Sequence, residues 1–196
     1  MPEPWQIEPE WKGEAAFIIG GGQSVKQQKL ELLRGRHVIV VNTSYEVYPA
    51  ADYLIFSDGP WWRHHQDKLK DFKGKIISAC VTARGENIWR KIAPKGRRTT
   101  MTTAIWVAMR LGASKIVTLG LDNGGGINGH HHAPHPWTEK YKARYTEEQW
   151  RKQWVNQRED LSTLITPLKE SGISLLNASP GSKLDLWPIV SLEQTL

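Results

Sequence analysis

The chain has 196 residues and a mass of 22.3 kDa, with 39% hydrophobic and 23% charged residues. This balance is that of one folded domain and excludes collagen-like, disordered and disulfide-scaffold proteins. The single cysteine, Cys80, cannot form an intramolecular bridge. No apolar run is long enough to span a membrane, and the first residues lack the order of a signal peptide. We therefore expect a cytoplasmic protein.

The basic charge is concentrated in one part of the chain. Lys and Arg number 26 against 20 Asp and Glu, which gives a net charge of +6. Residues 63–115 hold thirteen Lys and Arg against three Asp and Glu, a net +10. Such a segment attracts phosphate on a nucleotide, a nucleic acid or a lipid surface, or it forms a solvated face that keeps the protein soluble.

The chain divides into an N-terminal arm, residues 1–14, and a domain formed by residues 15–196. Short apolar runs, most of them β-branched, predict strands that are buried on both faces, at 15–19, 38–41, 53–56, 75–79, 115–119 and 173–176. Helical spacing predicts helices at 24–33, 103–111 and 137–171, the first capped by Ser24 and the last broken at Pro167. This order predicts a doubly wound α/β domain with a mainly parallel sheet.

The tryptophans separate into two predicted groups. Trp150 and Trp154 continue into the leucines of the long helix, which predicts a stripe that faces the core. Trp61, Trp62 and Trp137 lie beside polar residues that follow strands, so we expect these three to flank a ligand site.

Ligands of parallel sheets bind beyond the carboxyl ends of the strands, so the residues after each apolar run are candidates. A glycine-rich turn follows the first strand and leads into a helix, as in anion-binding loops, although its spacing is neither the dinucleotide fingerprint nor a Walker loop. An amide, a hydroxyl and a carboxylate follow the next two strands, and a threonine run precedes a helix. These candidates are Gly20, Gly21, Gly22, Gln23, Ser24, Asn42, Ser57, Asp58, Thr102 and Thr103. Each is also typical of an ordinary turn or cap.

Residues 120–136 carry the densest group of candidate residues, with four histidines in six positions on a glycine-rich loop. Core packing does not explain such a cluster. Histidines at the surface act as general acids or bases, bind phosphate, bind a transition metal, or belong to an inert polar loop. The spacing matches no standard zinc motif. The glycines favour a lid that orders when a ligand excludes water.

Several motifs in this order resemble a known family. They are residues 16–24 (AFIIGGGQS), 38–42 (VIVVN), 51–58 (ADYLIFSD) with Trp61-Trp62, 113–122 (ASKIVTLGLD), the histidine segment and 177–182 (NASPGS). The sequence resembles, over residues 11–196, phage and bacterial proteins grouped with the MptE-like 6-hydroxymethylpterin diphosphokinases. That group is similar in fold to bacterial CMP-sialic acid dependent sialyltransferases.

The resemblance implies a Rossmann-like nucleotide site. By position, Gly20, Gly21, Gly22 and Ser24 would hold phosphate or ribose, Asn42 the nucleoside, and Thr102 or Thr103 a further phosphate or ribose. Ser182 would be a late phosphate contact. One of His130, His132 or His135 would be the base that deprotonates an acceptor hydroxyl. If the protein is encoded by a phage, its location would be the host cytoplasm.

The leading hypothesis is a transferase that uses a nucleotide-activated sugar, in which a lid histidine is the base and backbone N–H groups with Lys or Arg stabilise the leaving phosphate. A diphosphokinase is the close alternative, in which Asp58 and Asp122 would bind Mg²⁺ and ATP would be the donor. A nucleic-acid binding or modifying accessory protein is a second class, and a nucleotide sensor without turnover is a third.

Overall fold

The computed structural model describes residues 7–92, 96, 99–124, 129–138 and 146–196. Its centre is a sheet of seven parallel strands in the order β5-β4-β3-β2-β1-β6-β7. The strands are β1 Ala15–Ile19, β2 His37–Val41, β3 Tyr53–Phe56, β4 Lys75–Ser78, β5 Ile88–Lys91, β6 Lys115–Leu119 and β7 Ser174–Asn177. The chain leaves β1 towards β2 on one side and returns to β6 on the other, so the strand order reverses between β1 and β6.

Alternate residues of each central strand belong to two separate cores. In β1, Phe17 and Ile19 pack on one face, and Ala16 and Ile18 pack on the other. Since both faces of a parallel sheet are covered, its strands need no polar side, which explains the uninterrupted apolar runs of the sequence.

Four α-helices cover the sheet in the described part of the chain. They are α1 Gly59–His65, α2 Thr100–Arg110, α3 Glu147–Ser162 and α4 Ile165–Glu170. Short 3₁₀ helices span Gln23–Gln27, Leu30–Leu33, Asn42–Glu46, Pro136–Thr138 and Glu193–Thr195. The predicted doubly wound α/β fold is therefore confirmed.

All six predicted strands are present, within one or two residues of their predicted ends. The strand that the sequence did not predict is β5, whose residues are mostly exposed. A strand at the sheet edge buries little, so it lacks the apolar run by which the others are recognised.

The prediction of an α-helix at 24–33 is wrong. Two 3₁₀ helices lie there, and the first is preceded by Gly22, which has no capping side chain. The N–H and hydroxyl of Ser24 both donate to Asp122 instead of capping a helix. A tertiary contact therefore overrides the local pattern.

The other two predicted helices are present with changed limits. α2 begins three residues early because Thr99 caps it, accepting from the N–H of Thr102. In the long segment predicted at 137–171, α3 ends at Ser162 and α4 starts at Ile165, so Pro167 lies in the first turn of α4. Proline is tolerated in a first turn. The tyrosines at 141 and 145 lie outside the described residues.

The described part of the arm, residues 7–14, lies on the amino end of the sheet. Trp11 stacks on His37 with ring centroids 4.8 Å apart and meets Tyr53 edge-on at 5.4 Å. The backbone N–H of Trp11 donates to Leu111 O at 2.7 Å.

No helix in the described residues is both long enough and apolar enough to cross a membrane.

Candidate functional site

A cavity of about 330 Å³ lies at the carboxyl ends of the strands, beside the point where their order reverses. This is the position at which open α/β sheets bind ligands. Nine predicted site residues line it: Gly20, Gly21, Gly22, Asn42, Asp58, Asp122, His130, His132 and His135.

The glycine turn after β1 packs directly against the turn after β6. A Cβ on Gly20 would lie 3.0 Å from Gly120 O, and one on Gly22 would lie 2.6 Å from the same oxygen. The N–H groups of Gly20 and Gly22 donate to Leu119 O and Gly120 O. Close approach of two backbones therefore requires these glycines, whatever ligand the cavity takes.

Asp122 lies in the turn after β6. Its Oδ2 accepts from the N–H of Ser24 at 2.9 Å, and its Oδ1 accepts from the Ser24 hydroxyl. A carboxylate of the chain thus lies where the sequence predicts phosphate, and Ser24 is buried beneath it. Gln23 and Ser24 are not among the residues that line the cavity.

A second carboxylate meets the N-terminus of α2. Asp160, buried and carried by α3, accepts from the N–H of Thr99 at 2.8 Å and from the hydroxyl of Thr102 at 2.6 Å. The hydroxyl of Thr103 donates to Thr99 O. Thr102 and Thr103 are buried away from the cavity, and Thr99 and Thr100 line it in their place.

Two further residues predicted to contact the nucleotide, Ser57 and Ser182, hydrogen-bond to other parts of the protein. The hydroxyl of Ser57 hydrogen-bonds to that of Thr100. The hydroxyl of Ser182 donates to Leu121 O at 2.7 Å and accepts from Asn177 Nδ2 at 3.0 Å, which ties the C-terminal loop to the turn after β6. Neither serine lines the cavity.

The histidine segment is fixed to the glycine turn by its backbone and by one buried ring. His130 forms an isolated antiparallel bridge with Gly22, and the N–H of His131 donates to Gly21 O at 2.8 Å. Ser44 Oγ donates to Gly20 O, so it accepts from Nε2–H of His131 at 3.1 Å. His131 therefore anchors the segment.

The rings of His130, His132 and His135 lie in a row along the cavity. His132 lies between His130 and His135, with ring centroids 5.1 and 4.7 Å away, and His135 stacks on Trp137 at 4.4 Å. Burial, and then repulsion by His132, lower the pKa of His131 and of His135 to about 4. The same causes lower the pKa of His130. With pKa values of about 4, His131 and His135 are neutral at pH 7.

A hydrogen bond to the backbone fixes the tautomer of His132. Its Nδ1 lies 2.8 Å from Ala133 O, and a carbonyl only accepts, so Nδ1 carries the proton. With the proton fixed on Nδ1, Nε2 is the atom that gains or loses the second proton. Among the three predicted base candidates, the ring of His130 is also hydrogen-bonded to the backbone, at Gly21, and burial lowers its pKa, whereas His132 is at the centre of the row of histidine rings.

A layer of buried aromatic residues packs against this row of histidine rings, with His65 in contact with His135. His65 stacks on Trp61 at 4.6 Å and its Nδ1 lies 2.8 Å from the Tyr45 hydroxyl. Burial, and then repulsion by His135, lower the pKa of His65 to about 3. Trp61 donates from Nε1 to Thr43 Oγ1 at 2.9 Å. These contacts tie α1 to the segment after β2 on this side of the cavity.

The tryptophans are distributed differently from the prediction. Trp61 and Trp137 line the cavity, whereas Trp62 stacks on Phe56 at 4.7 Å in the core. Trp150 and Trp154, predicted to face the core, are half-buried and line the cavity together with Gln157. The prediction for these two is wrong because α3 buries only Asp160 and Leu161, near its C-terminal end.

The described wall of the cavity carries no Lys or Arg. The described Lys and Arg of residues 63–115 lie elsewhere, and several have partners, as in the ion pair of Lys75 with Glu10 and that of Lys70 with Asp67. The Lys or Arg predicted to stabilise a leaving phosphate is therefore not found in the described wall.

The carboxylates do not fit the predicted Mg²⁺ site. Asp58 Oδ1 accepts from the N–H of Trp61 at 2.7 Å as the cap of α1, and both oxygens of Asp122 are bound to Ser24. Within the described residues, no group of three or more His, Cys, Asp or Glu side chains is placed to hold a metal ion.

Three residues that sequence reasoning missed line the cavity with side chains suited to a ligand. They are Trp150 and Trp154, which belong to no motif, and Asn123, which lies in the segment 120–136 but was not among the predicted site residues. Asn123 directly follows the predicted Asp122 at a strand end, so its position alone could have indicated it.

The sequence matches no protein-family model and no curated protein. In fold, the chain is similar to a solved structure titled monofunctional alpha-2,3-sialyltransferase Cst-I from Campylobacter jejuni. The TM-score is 0.61 at 14% identity, over 96% of this chain and 84% of that chain. This likeness confirms the expected similarity to the sialyltransferase fold. The resemblance to the MptE-like group, the phage origin and a nucleic-acid partner find no support.

Proposed function

We propose that this protein is a glycosyltransferase that uses a nucleotide-activated sugar as donor. The observation that carries the proposal is His132, whose Nδ1–H is held by Ala133 O in a cavity beyond the carboxyl ends of parallel strands. The fold shared with a structure titled a sialyltransferase supports the same class of reaction.

The cavity offers distinct surfaces for the parts of such a donor. Asn42, at the end of β2, is the contact proposed for the nucleoside. Thr99 and Thr100 line the cavity at the N-terminus of α2 and carry hydroxyl groups suited to a ribose or sugar. The carboxylate of Asp160 already accepts from the N–H of Thr99, so it competes with a phosphate group at this helix end. Trp137, Trp150 and Trp154 provide flat apolar faces on which a base or a sugar ring can stack.

In the proposed reaction the acceptor hydroxyl oxygen attacks the anomeric carbon of the donor sugar. A new C–O bond forms, the bond from that carbon to the phosphate oxygen breaks, and the nucleotide leaves with the electron pair. Nε2 of His132 takes the proton of the acceptor hydroxyl. A positioned general base contributes typically about 10²–10⁴-fold to the rate.

The donor class is tested by binding. Thermal melts of the wild type with CMP, UMP, AMP, ATP and sugar derivatives of CDP, UDP and GDP, with and without EDTA, identify what the cavity takes. A ligand at 100 times its Kd adds about 2.7 kcal/mol of stability. A nucleotide that binds equally well in EDTA supports the proposal, whereas ATP binding that requires Mg²⁺ favours the diphosphokinase.

The base is tested with His132→Ala, measured as nucleotide release from the donor identified by binding. We expect a 10²–10⁴-fold lower kcat, unchanged donor affinity, and partial rescue by added imidazole. His37→Ala is the control, because His37 pairs with Glu14 outside the cavity. Equal activity of His132→Ala and the control would remove the proposed role of His132.

A further inference from the structure

Two asparagines at the cavity have a backbone conformation that is unusual for their type. Asn42, after β2, and Asn123, after β6, both have φ of 50°, and in the described chain they are the only residues other than glycine with positive φ. This left-handed region costs most residues roughly 1–2 kcal/mol, and asparagine tolerates it better than others. Glycine would adopt it without cost.

The side chains of both asparagines are also incompletely satisfied. Oδ1 of Asn42 and Oδ1 of Asn123 are buried, and neither has a hydrogen-bond partner in the described structure. An unpaired buried acceptor costs about 1–3 kcal/mol. Strained backbone and an unpaired polar atom thus coincide twice, and both residues line the same cavity. Such features are typical of groups that await a ligand.

The sheet order places these two oxygens on either side of the glycine turn. β2 and β6 are the two neighbours of β1, so the ends of β2 and β6 are roughly 10 Å apart. A ligand that lies over Gly21 would meet Asn42 on one side and Asn123 on the other. Both oxygens accept hydrogen bonds, so a phosphate oxygen cannot pair with either one.

We propose that Asn123 is a specificity-determining residue that accepts a hydrogen bond from a hydroxyl or amino group of the bound ligand. Nucleosides and sugars carry such donors, and the ribose hydroxyls and the exocyclic amine of cytosine are the groups of a nucleotide that fit. The choice of a nucleotide as ligand rests on the proposed function. The requirement for a donor group at Asn123 rests on its own unpaired oxygen.

The test is Asn123→Gly, which removes the side chain and the backbone strain at φ of 50°. We expect an unchanged or higher melting temperature, because glycine adopts the φ of 50° and the unpaired oxygen is gone. We expect CMP to bind about 3- to 10-fold more weakly by titration calorimetry, since one neutral hydrogen bond is lost. Asn87→Ala, whose amide donates to Leu69 O outside the cavity, is the control and should bind CMP as the wild type does.

Analogues identify the group that Asn123 contacts. If it contacts a ribose hydroxyl, the preference of the wild type for CMP over 2′-deoxy-CMP disappears in Asn123→Gly. If it contacts the amine, the preference for CMP over UMP disappears. Wild-type affinity of the variant for all three nucleotides, or a large loss of its stability, would show that Asn123 only shapes the turn.

A wild type that binds no nucleotide would contradict the proposed function but not this inference. The wild type and Asn123→Gly would then be compared for binding of glucose and N-acetylneuraminic acid by saturation-transfer NMR. A weaker signal from the variant supports the role of Asn123, and equal signals from the two proteins overturn it.

Discussion

The carboxylate of Asp122 accepts hydrogen bonds from both the backbone N–H and the hydroxyl of Ser24, 98 residues away in sequence. The two residues follow neighbouring strands, β1 and β6, so this contact fastens the two loops between which the strand order reverses. It also places a negative charge in the first turn after the glycines. A phosphate bound in that turn would have to displace Asp122 or lie beside it.

Replacing Asp122 with Asn should lower stability, because the neutral amide can accept from only one of the two Ser24 donors. Hydrogen bonds to charged groups contribute about 1.5–3 kcal/mol. For a protein of this size, each kcal/mol lowers the melting temperature by about 2–4 °C. Scanning calorimetry of the purified variant measures the change.

Asp185→Asn is the matched control for Asp122→Asn. Asp185 is an exposed aspartate that pairs with Arg158, with 2.9 Å between Nη2 and Oδ1. Solvent screens an exposed ion pair, so the melting temperature of Asp185→Asn should change little. If both variants melt at the same temperature, the contact of Asp122 with Ser24 does not hold the loops together.

The sequence predicted the sheet well because a strand buried on both faces leaves a continuous apolar run, as at residues 15–19 and 115–119. It placed Gly20–Gly22 and the histidines near one site, since parallel strands end at a common edge. It could not show that Thr102 and Ser182 hydrogen-bond inward, because their partners Asp160 and Leu121 are 58 and 61 residues away. Contacts between distant segments decide which hydroxyls reach the cavity.

Gly22→Ala should destabilise the protein although it adds only a methyl group. The new Cβ would lie 2.5 Å from Asp122 Cγ and 2.6 Å from Gly120 O, so the turns after β1 and β6 must separate. Overpacking of this kind typically costs about 1–3 kcal/mol. Urea unfolding of the variant gives the loss as a lower midpoint with an unchanged slope.

Gly59→Ala is the matched control, because a Cβ there meets nothing closer than 3.6 Å and the residue begins α1. Alanine has the higher helix propensity, so stability should be unchanged or slightly raised. A Gly22→Ala variant as stable as Gly59→Ala would contradict the close packing of the two turns.

Acidification should weaken the fold through the neutral histidines. The pKa of His131 and of His135 is about 4 in the folded chain, against an ordinary 6.5. Between these values the unfolded chain binds more protons, so stability falls as pH decreases from about 6.5 to about 4. Melting temperatures measured at half-unit steps over this range record the fall.

The contribution of one ring is isolated with His131→Gln, which cannot titrate and can still donate to Ser44. Its melting temperature should fall less steeply with decreasing pH than that of the wild type, while the carboxylates contribute equally to both proteins. Parallel curves for the two proteins would show that His131 is not held neutral by the fold.

Trp154→Ala should weaken ligand binding with little loss of stability, because the indole lies against the cavity and not in the core. Stacking of a base on an aromatic ring contributes about 1–3 kcal/mol when measured by alanine substitution, which is a 5- to 150-fold change in Kd. Leu161→Ala, about two turns further along α3 and fully buried, is the comparison, with an expected loss of about 2–5 kcal/mol. Calorimetric titration with CMP and thermal melts of both variants separate the two effects. If Trp154→Ala is as unstable as Leu161→Ala and binds CMP normally, Trp154 faces the core, as the sequence alone predicts.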